Sequence, residues 1–501
     1  NRSGIPRIQS PHCATYCAAL GVDAQVPVRL SQTAGVTLDS APCLLTSSAA
    51  PRQTRSARHV LLRETVLAHS KRSRRRRFRF STRRPSLLSS REGIILRLVR
   101  LAERGRLMPR PKVFLSYITL YMGRYTTVVG DPHDINTWSN IPYFFMKAGQ
   151  RQGFIEGGLP LKPDRLNVHR LLWNAWALVR YGAYGGFQYS PYFLERLFDQ
   201  VSVDAAEDEF ISHFPLLPPA PASNGYQVSY YIDATLKQNF DDYGVGDHVS
   251  TSVQERTLRQ EQENYHHADR VVCMSRWAAS SVVDDYGVVA SNVHVVPGGA
   301  NLSEELLQSL DTPSFEKKGF SPLRLGFVGK NWERKGLRFL LSVADVLTER
   351  GHVVEILAIG PSADELPPHP CVTPIGFVDK KSNLSEFVEI VRGFHFGCLF
   401  SSIEAFGISN IECLRLGVPV LAFDVGGIPD TIPEGLGHLF NPDTTPEDVA
   451  SVLQDYIQNP DSYRTLQQRV WSRAPTFSWD HVVDVFQSMW EGSPDHAYDR
   501  I

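Results

Sequence analysis

From residue 323 onward, short apolar runs alternate with longer segments in which apolar residues recur every three or four positions. The runs LRLGFVG (323–329), VVEILAIG (353–360), FHFGCLFS (394–401) and VPVLAFD (418–424) have the length and continuous apolarity of strands buried on both faces. Between the first two lies GLRFLLSVADVLTERG (336–351), whose spacing predicts an amphipathic helix. Strands joined by helices of this length imply right-handed crossovers and a parallel, doubly wound sheet. The preceding stretch repeats the alternation less plainly. YQVSYYID (226–233) and ADRVVCMS (268–275) read as short buried strands, the second followed by a helix over Arg276 to Tyr286. After VHVVPGGAN (293–301) comes a polar, Pro-containing connector up to about Pro322, which predicts a domain boundary. The expected fold class is therefore α/β, with two tandem Rossmann-like domains at 108–302 and 303–476. Ligands of such pairs bind between the domains, where the C-terminal ends of the strands supply the contacts.

Charge separates the first 107 residues from the rest. They carry 21 Lys and Arg against 5 Asp and Glu, whereas the following residues carry 31 against 48. The early segment lacks sustained periodicity and includes KRSRRRRFRF (71–80), so it is expected to be a disordered basic extension or an upstream stretch wrongly read as coding. Nucleic-acid binding through the Arg run and organelle targeting are the alternatives. Met108, followed by PRPKVFLSYITLY, reads as the start of globular sequence. The acidic main body argues against a nucleic-acid groove there. Seven cysteines in no zinc-like or CxxC spacing suit a reduced, cytoplasmic setting. No apolar run approaches the roughly 18 residues that span a bilayer, which leaves peripheral attachment to a membrane surface open.

Three motifs carry chemistry. In SSIEAFGISNIECLRLG (401–417), a strand ends, a loop with Gly407 follows, and a helix is expected from about Asn410. Helix N-termini present unpaired amides and partial positive charge, so Phe406, Gly407 and Ile408 suit a phosphate. Glu404 and Glu412 flank that cradle and suit the hydroxyls of a sugar or ribose. The plain alternative for Glu412 is a capping box with Ser409, and for Glu404 a solvated loop acid. In FVGKNWERKG (327–336), Gly329 lets the chain turn while Lys330 and Lys335 are candidates to neutralise a diphosphate, or are simply solvated lysines. The turn DVGGIPD (424–430) allows close approach of a ligand but is common as a structural turn.

In order and spacing these motifs resemble the retaining, family-four glycosyltransferases, bacterial branch, whose fold is the two-domain GT-B architecture. The likeness rests on Gly329, Lys335-Gly336, the pair Glu404 and Glu412 with seven residues between, and Gly426-Gly427-Ile428-Pro429. It extends through DPHDINTWSNIPYFFMKAGQRQGF (131–154), YYIDAT (230–235), SRWAASSVVDDYGV (275–288) and VVPGGANL (295–302) on the acceptor side, and FSWDHVVDVFQSMWEG (477–492) resembles a closing helix that crosses back to the first domain. The resemblance implies that Glu412 binds the ribose and Glu404 the transferred sugar. It further implies that the 406–408 amides meet sugar and phosphate, and that Lys335 stabilises the diphosphate. Two departures are plain: Lys330 stands where many members have Arg, losing the bidentate fork, and Ser409 stands where Pro is frequent. On the acceptor side, Trp138 and Ser139 occupy the loop after the first strand and are expected to face the cleft, with ordinary packing as the other reading of Trp138, and Asp233 ends a strand, with capping of the next helix as its other reading. No general base is assigned to His133, His266 or His267.

The resulting expectation is a glycosyltransferase taking a sugar from a nucleoside diphosphate sugar to a hydroxyl of a glycan, lipid-linked or small-molecule acceptor. Its rival is a non-catalytic GT-B-like module that binds nucleotide or glycan. No D-x-D pair occurs, so the sequence requires no metal and no cofactor beyond the donor substrate. Removing residues 1–107 is expected to leave folding and donor turnover intact; circular dichroism and a turnover assay of the shortened chain check this, and loss of folding would contradict it.

Overall fold

The computed structural model describes residues 123–182, 185–200, 208–221, 225–309, 311, 319–492 and 499–500. Expectations for residues 1–107, including the disordered extension, lie outside the described residues. The first sheet comprises β1 (Arg124–Val129), β2 (Gly157–Leu161), β3 (Glu209–Ser212), β4 (Gln227–Ile232), β5 (Arg270–Cys273) and β6 (Val293–Val295), in the order β6-β5-β4-β3-β1-β2. The second comprises β7 (Leu323–Val328), β8 (Val354–Ile359), β9 (Val372–Gly376), β10 (Phe396–Leu399), β11 (Val420–Phe423) and β12 (Gly437–Phe440), in the order β12-β11-β10-β7-β8-β9. All these pairings are parallel. A last short strand, β13 (Asp499–Arg500), returns to the first sheet antiparallel to β6. The fold is thus two Rossmann-like α/β units in one chain, the GT-B arrangement.

Strand order decides where a ligand can sit. In the second sheet the winding starts at β7, runs outward to β8 and β9, then restarts on the other side with β10. Connections leaving β7 and β10 therefore diverge to opposite faces and open a crevice between the two strand ends. The loops after β7 and β10 carry Lys335 and Glu404. In the first sheet the reversal falls between β1 and β3.

The helix after β7, Leu337–Glu349, buries Leu337, Leu340, Val343, Ala344 and Leu347, the stripe expected from its spacing. Gly336 begins it in the left-handed region (φ +78°), and a Cβ there would collide with the Phe400 carbonyl at the end of β10. This close approach draws the loops after β7 and β10 together.

Helix Trp479–Glu491 packs on the first sheet although its sequence follows the second. Its Phe486 ring lies 4.9 Å from Tyr231, 5.1 Å from Phe145 and 6.1 Å from Phe154. Asp480 pairs with Arg151 at 2.6 Å, and its carbonyl accepts from Gln152 Nε2 at 2.9 Å. Further along, the Trp490 indole donates to Glu209, which also holds Arg124 at 2.7 Å. Arg124 and Glu209 are both buried, so each satisfies the other's charge inside the sheet. Among the described residues no helix is long and apolar enough to cross a membrane.

Phe486 is fully buried among these rings. Phe486→Ala is expected to cost about 3 to 5 kcal/mol of stability, read from chemical denaturation; a loss under about 1 kcal/mol would contradict this packing.

Candidate functional site

The site is built on an ion cluster. Lys335 Nζ lies 2.7 Å from Glu404 Oε2, Arg334 reaches the same oxygen at 3.3 Å, and Ser401 Oγ donates to it at 3.3 Å. Arg334 also donates to the Ile403 carbonyl, fixing the loop that bears the glutamate. Burial alone would raise the Glu404 carboxyl, but the Lys335 and Arg334 charges outweigh it and hold the group below its usual range. Glu404 is therefore a buried carboxylate that stays ionised, not a solvated loop acid. Gly329 lies beneath the Lys335 stem, where a Cβ would clash with the Lys335 methylenes. The Gly-Gly turn backs the same loop, since the Gly427 amide donates to the Glu404 carbonyl at 2.9 Å.

The helix carrying Glu412 begins earlier than its sequence suggests. It spans Ile408–Arg415, with Gly407 as the N-cap in the left-handed region (φ +87°) and no side-chain cap. Ser409 consequently lies inside the first turn, and the Ser409–Glu412 capping box does not form. Among the described residues the Phe406, Gly407 and Ile408 amides make no hydrogen bond, leaving a set of donors at a helix N-terminus, where anions are favoured. Glu412, 2% exposed, pairs instead with Lys380 from the loop after β9. Burial raises the Glu412 carboxyl above its usual value, and the Lys380 charge and the Asn301 amide only partly offset this.

Residues of the first half complete the seam. Asp233, at the end of β4, is pushed up to about 7 by burial, with the Glu404 charge adding to the shift against its own amide and that of Ala234. It does not cap the next helix, because Thr235 forms that capping box with Gln238. Arg334 lies over the Tyr243 ring at 5.5 Å, and burial, then the Glu404 charge, raises the Tyr243 phenol. Asn301 donates to the Ser139 carbonyl at 2.7 Å and accepts from the Trp479 indole at 3.0 Å. Arg276, after β5, donates its amide to Asp430 at 2.7 Å, and its guanidinium pairs with the same carboxylate at 2.5 Å.

The structure brings together Gly329, Lys335, Glu404, the 406–408 amides, Glu412 and Asp233. Others stand apart. Lys330 is exposed and lies 4.3 Å from the Phe377 ring. Trp138 is buried, its ring 5.2 Å from His213, so its side chain packs the first core; Ser139 beside it is exposed. Trp138, Ser139 and Asn140 are three consecutive non-glycine residues with positive φ, a strained run. His133 pairs with Asp131, while His266 and His267 bond to the Tyr286 and Glu263 carbonyls. Sequence reading missed Arg334, Lys380 and Tyr243. The only local signal was the charge of RK at 334–335, inside a motif with candidate chemistry; Lys380 and Tyr243 lie outside the motifs.

Residues 322–459 match the family described as "Glycosyl transferases group 1". The chain is 26% identical over 249 residues to a D-inositol 3-phosphate glycosyltransferase of Gordonia bronchialis, covering 46% of this chain and 53% of that one. It is 28% identical over 231 residues to the enzyme of the same name from Nocardia farcinica, covering 43% and 51%. The chain thus spans about half the length of the curated relatives it matches. Among solved structures, WaaG, a glycosyltransferase involved in lipopolysaccharide biosynthesis, superposes with TM-score 0.51 at 10% identity, covering 73% of this chain and 99% of that one. Anabaena HepE in complex with UDP and glucose gives 0.50 at 13%, covering 74% and 100%. The fold is GT-B. By sequence, the chain is related to the bacterial family-four glycosyltransferases.

Asp233 binds its proton more tightly folded than unfolded, so stability falls as pH rises from the unfolded value of 3.8 toward about 7 and stays reduced above it. Asp233→Asn is expected to melt higher than the parent chain, by a margin that grows between about pH 5 and pH 7.5 and reaches roughly 2 to 4 kcal/mol. A margin independent of pH in thermal scans would contradict this environment.

Proposed function

We propose that the chain is a retaining glycosyltransferase that moves a sugar from a nucleoside diphosphate sugar to a hydroxyl of a glycan, lipid-linked or small-molecule acceptor. The observation that carries the reading is the Glu404 cluster: an ionised, buried carboxylate shared by two cations, beside three unpaired amides at a helix N-terminus. Such a site can receive hydroxyls and phosphate side by side. The names of the matched relatives, which are glycosyltransferases, support the same class.

In this reading the diphosphate lies against the 406–408 amides, and Lys335, with Arg334, turns part of its charge from Glu404 to the phosphate oxygens. As the sugar–phosphate bond breaks, negative charge grows on the leaving diphosphate, so both cations interact more strongly in the transition state than before it. Glu404 accepts hydroxyls of the transferred sugar and orients its reacting carbon. The acceptor hydroxyl approaches from the face the diphosphate leaves, and the departing phosphate oxygen takes its proton, which retains configuration. Catalysis is then mostly placement and charge stabilisation. Asp233, across the seam and holding its proton near neutral pH, is an acceptor-side contact. Glu412 meets the ribose once Lys380 yields it, since the two are paired and buried without ligand. Exposed Lys330 takes an outer phosphate contact, and Gly329 leaves room for the Lys335 stem.

Three variants test the assignment. Glu412→Gln is expected to weaken binding of both free nucleotide and nucleotide-sugar, because the amide no longer offers a charged acceptor. Glu404→Gln should leave free-nucleotide binding nearly intact and impair transfer. Lys335→Ala should slow transfer roughly tenfold to a thousandfold, which corresponds to about 1.4 to 4 kcal/mol on the leaving group. Calorimetry, single-turnover assays and melting curves on the three proteins separate these effects. Full activity in both Lys335→Ala and Glu404→Gln would overturn the site, and nucleotide binding with no turnover in the parent chain would favour the non-catalytic module.

A further inference from the structure

Helix Asn167–Tyr181 is built outside-in. Its inner side rests on the first domain through buried Ala177 and through Trp173, whose indole donates to the Gly185 carbonyl at 3.0 Å and whose ring packs near Phe187. Its outer side carries Val168, Leu171, Leu172, Trp176, Leu178 and Val179, all exposed, Val179 to 89%. On a helical wheel these six form one continuous arc of about 160°. Other exposed large apolar residues of the described chain, such as Val289, Val353 and Leu439, are scattered singly. A continuous apolar face on a soluble surface marks an interaction site.

The rim of the arc is cationic and aromatic. Between residues 162 and 181 the sequence has four Lys and Arg against one Asp, of which Lys162 precedes the helix and is paired with Asp131 at 3.4 Å. His169 and Arg180 border the arc, Arg180 lying 5.4 Å from the Tyr181 ring. On the neighbouring helix Pro191–Phe198, Tyr192 is half-exposed and lies 5.3 Å from His169 and 5.6 Å from Arg196. At 15 residues the helix is too short to span a bilayer, which takes about 20. An apolar face bordered by basic and aromatic side chains is instead the pattern of a helix lying in a membrane interface.

We infer that this helix docks the protein on an anionic lipid bilayer, its apolar arc in the acyl boundary and its basic rim on the headgroups. Charge selects this occupant. A second copy would bring the same basic rim, and residues 1–107, with 21 Lys and Arg against 5 Asp and Glu, would bring more of the same sign. An anionic surface complements both, at roughly 1 kcal/mol per basic residue near it. This inference does not depend on the transfer reading, because docking needs no turnover.

The test uses the full chain and vesicles of phosphatidylcholine with or without about one quarter phosphatidylglycerol. Co-sedimentation is expected with the anionic vesicles, weakening as salt rises, with Trp fluorescence shifting to the blue; Trp176→Phe should lose most of that shift. Leu172→Glu combined with Val179→Glu should lower binding at least about tenfold while melting and donor turnover stay unchanged. Leu172→Met with Val179→Leu should keep it. The inference is overturned if the parent chain ignores anionic vesicles, if the double Glu variant binds them as well as the parent, or if light scattering shows a vesicle-free dimer that the same variant dissolves.

Discussion

An ionised carboxylate inside a protein is stable only where charge meets it, and Glu404 is met by Lys335 and Arg334 from the other side of the sheet reversal. That requirement organises the second half of the chain. Two cations on the loop after β7 and one anion on the loop after β10 hold the diverging connections together at the point where the winding opens a crevice. Gly336 permits the approach by lying against the Phe400 carbonyl, and the Gly427 amide closes the back of the loop on the Glu404 carbonyl. The helix that follows, at Ile408, starts on left-handed Gly407 without a side-chain cap. Removing both cations would leave Glu404 uncompensated in the crevice, so stability and site geometry are linked here.

The seam is also where the two halves of the chain read each other's charge. Glu404 adds to the shift that keeps a proton on Asp233 near neutral pH, Arg334 lies against Tyr243, and the Asn301 amide supports Glu412. Asn301 further joins the strained 138–140 turn to the indole of Trp479, at the start of the helix that crosses back to the first sheet. A displacement of one half would change the protonation balance and the cover of Glu412 together.

Much of this was legible beforehand, for identifiable reasons. Strands of a parallel sheet are covered on both faces and read as unbroken apolar runs, which is why β7, β8, β10 and β11 stood out. By contrast β1 and β3 hide behind Arg124, Thr126, Thr127 and Glu209, polar residues that burial tolerates because each has a partner: Arg124 and Glu209 each other, Thr127 the Leu159 carbonyl and Thr126 the buried His213 ring. The candidate site was legible where chemistry is local, at Gly407, Lys335 and the two glutamates. Arg334 and Lys380 were not, because their partners lie 70 and 32 positions away, and a paired lysine looks like a solvated one in sequence. The supposed capping box failed for a backbone reason, since left-handed Gly407 starts the helix before Ser409 can cap it. Of the two readings of Trp138, cleft or packing, its burial with the ring 5.2 Å from His213 fits packing. Helix Asn167–Tyr181 has the periodicity of any amphipathic helix; periodicity alone does not say which face is turned outward.

The central claim is that the crevice between the ends of β7 and β10 receives a nucleoside diphosphate, with Lys335 and the 406–408 amides on the phosphates and Glu412 on the ribose. A crystal structure of the chain soaked with whichever of UDP, GDP or ADP raises its melting temperature most tests this directly. The account predicts phosphate oxygens within hydrogen-bond distance of the Ile408 amide and Lys335 Nζ, and ribose hydroxyls on Glu412 with Lys380 displaced. A nucleotide bound elsewhere, with Lys335 still on Glu404 and Lys380 still on Glu412, would contradict it.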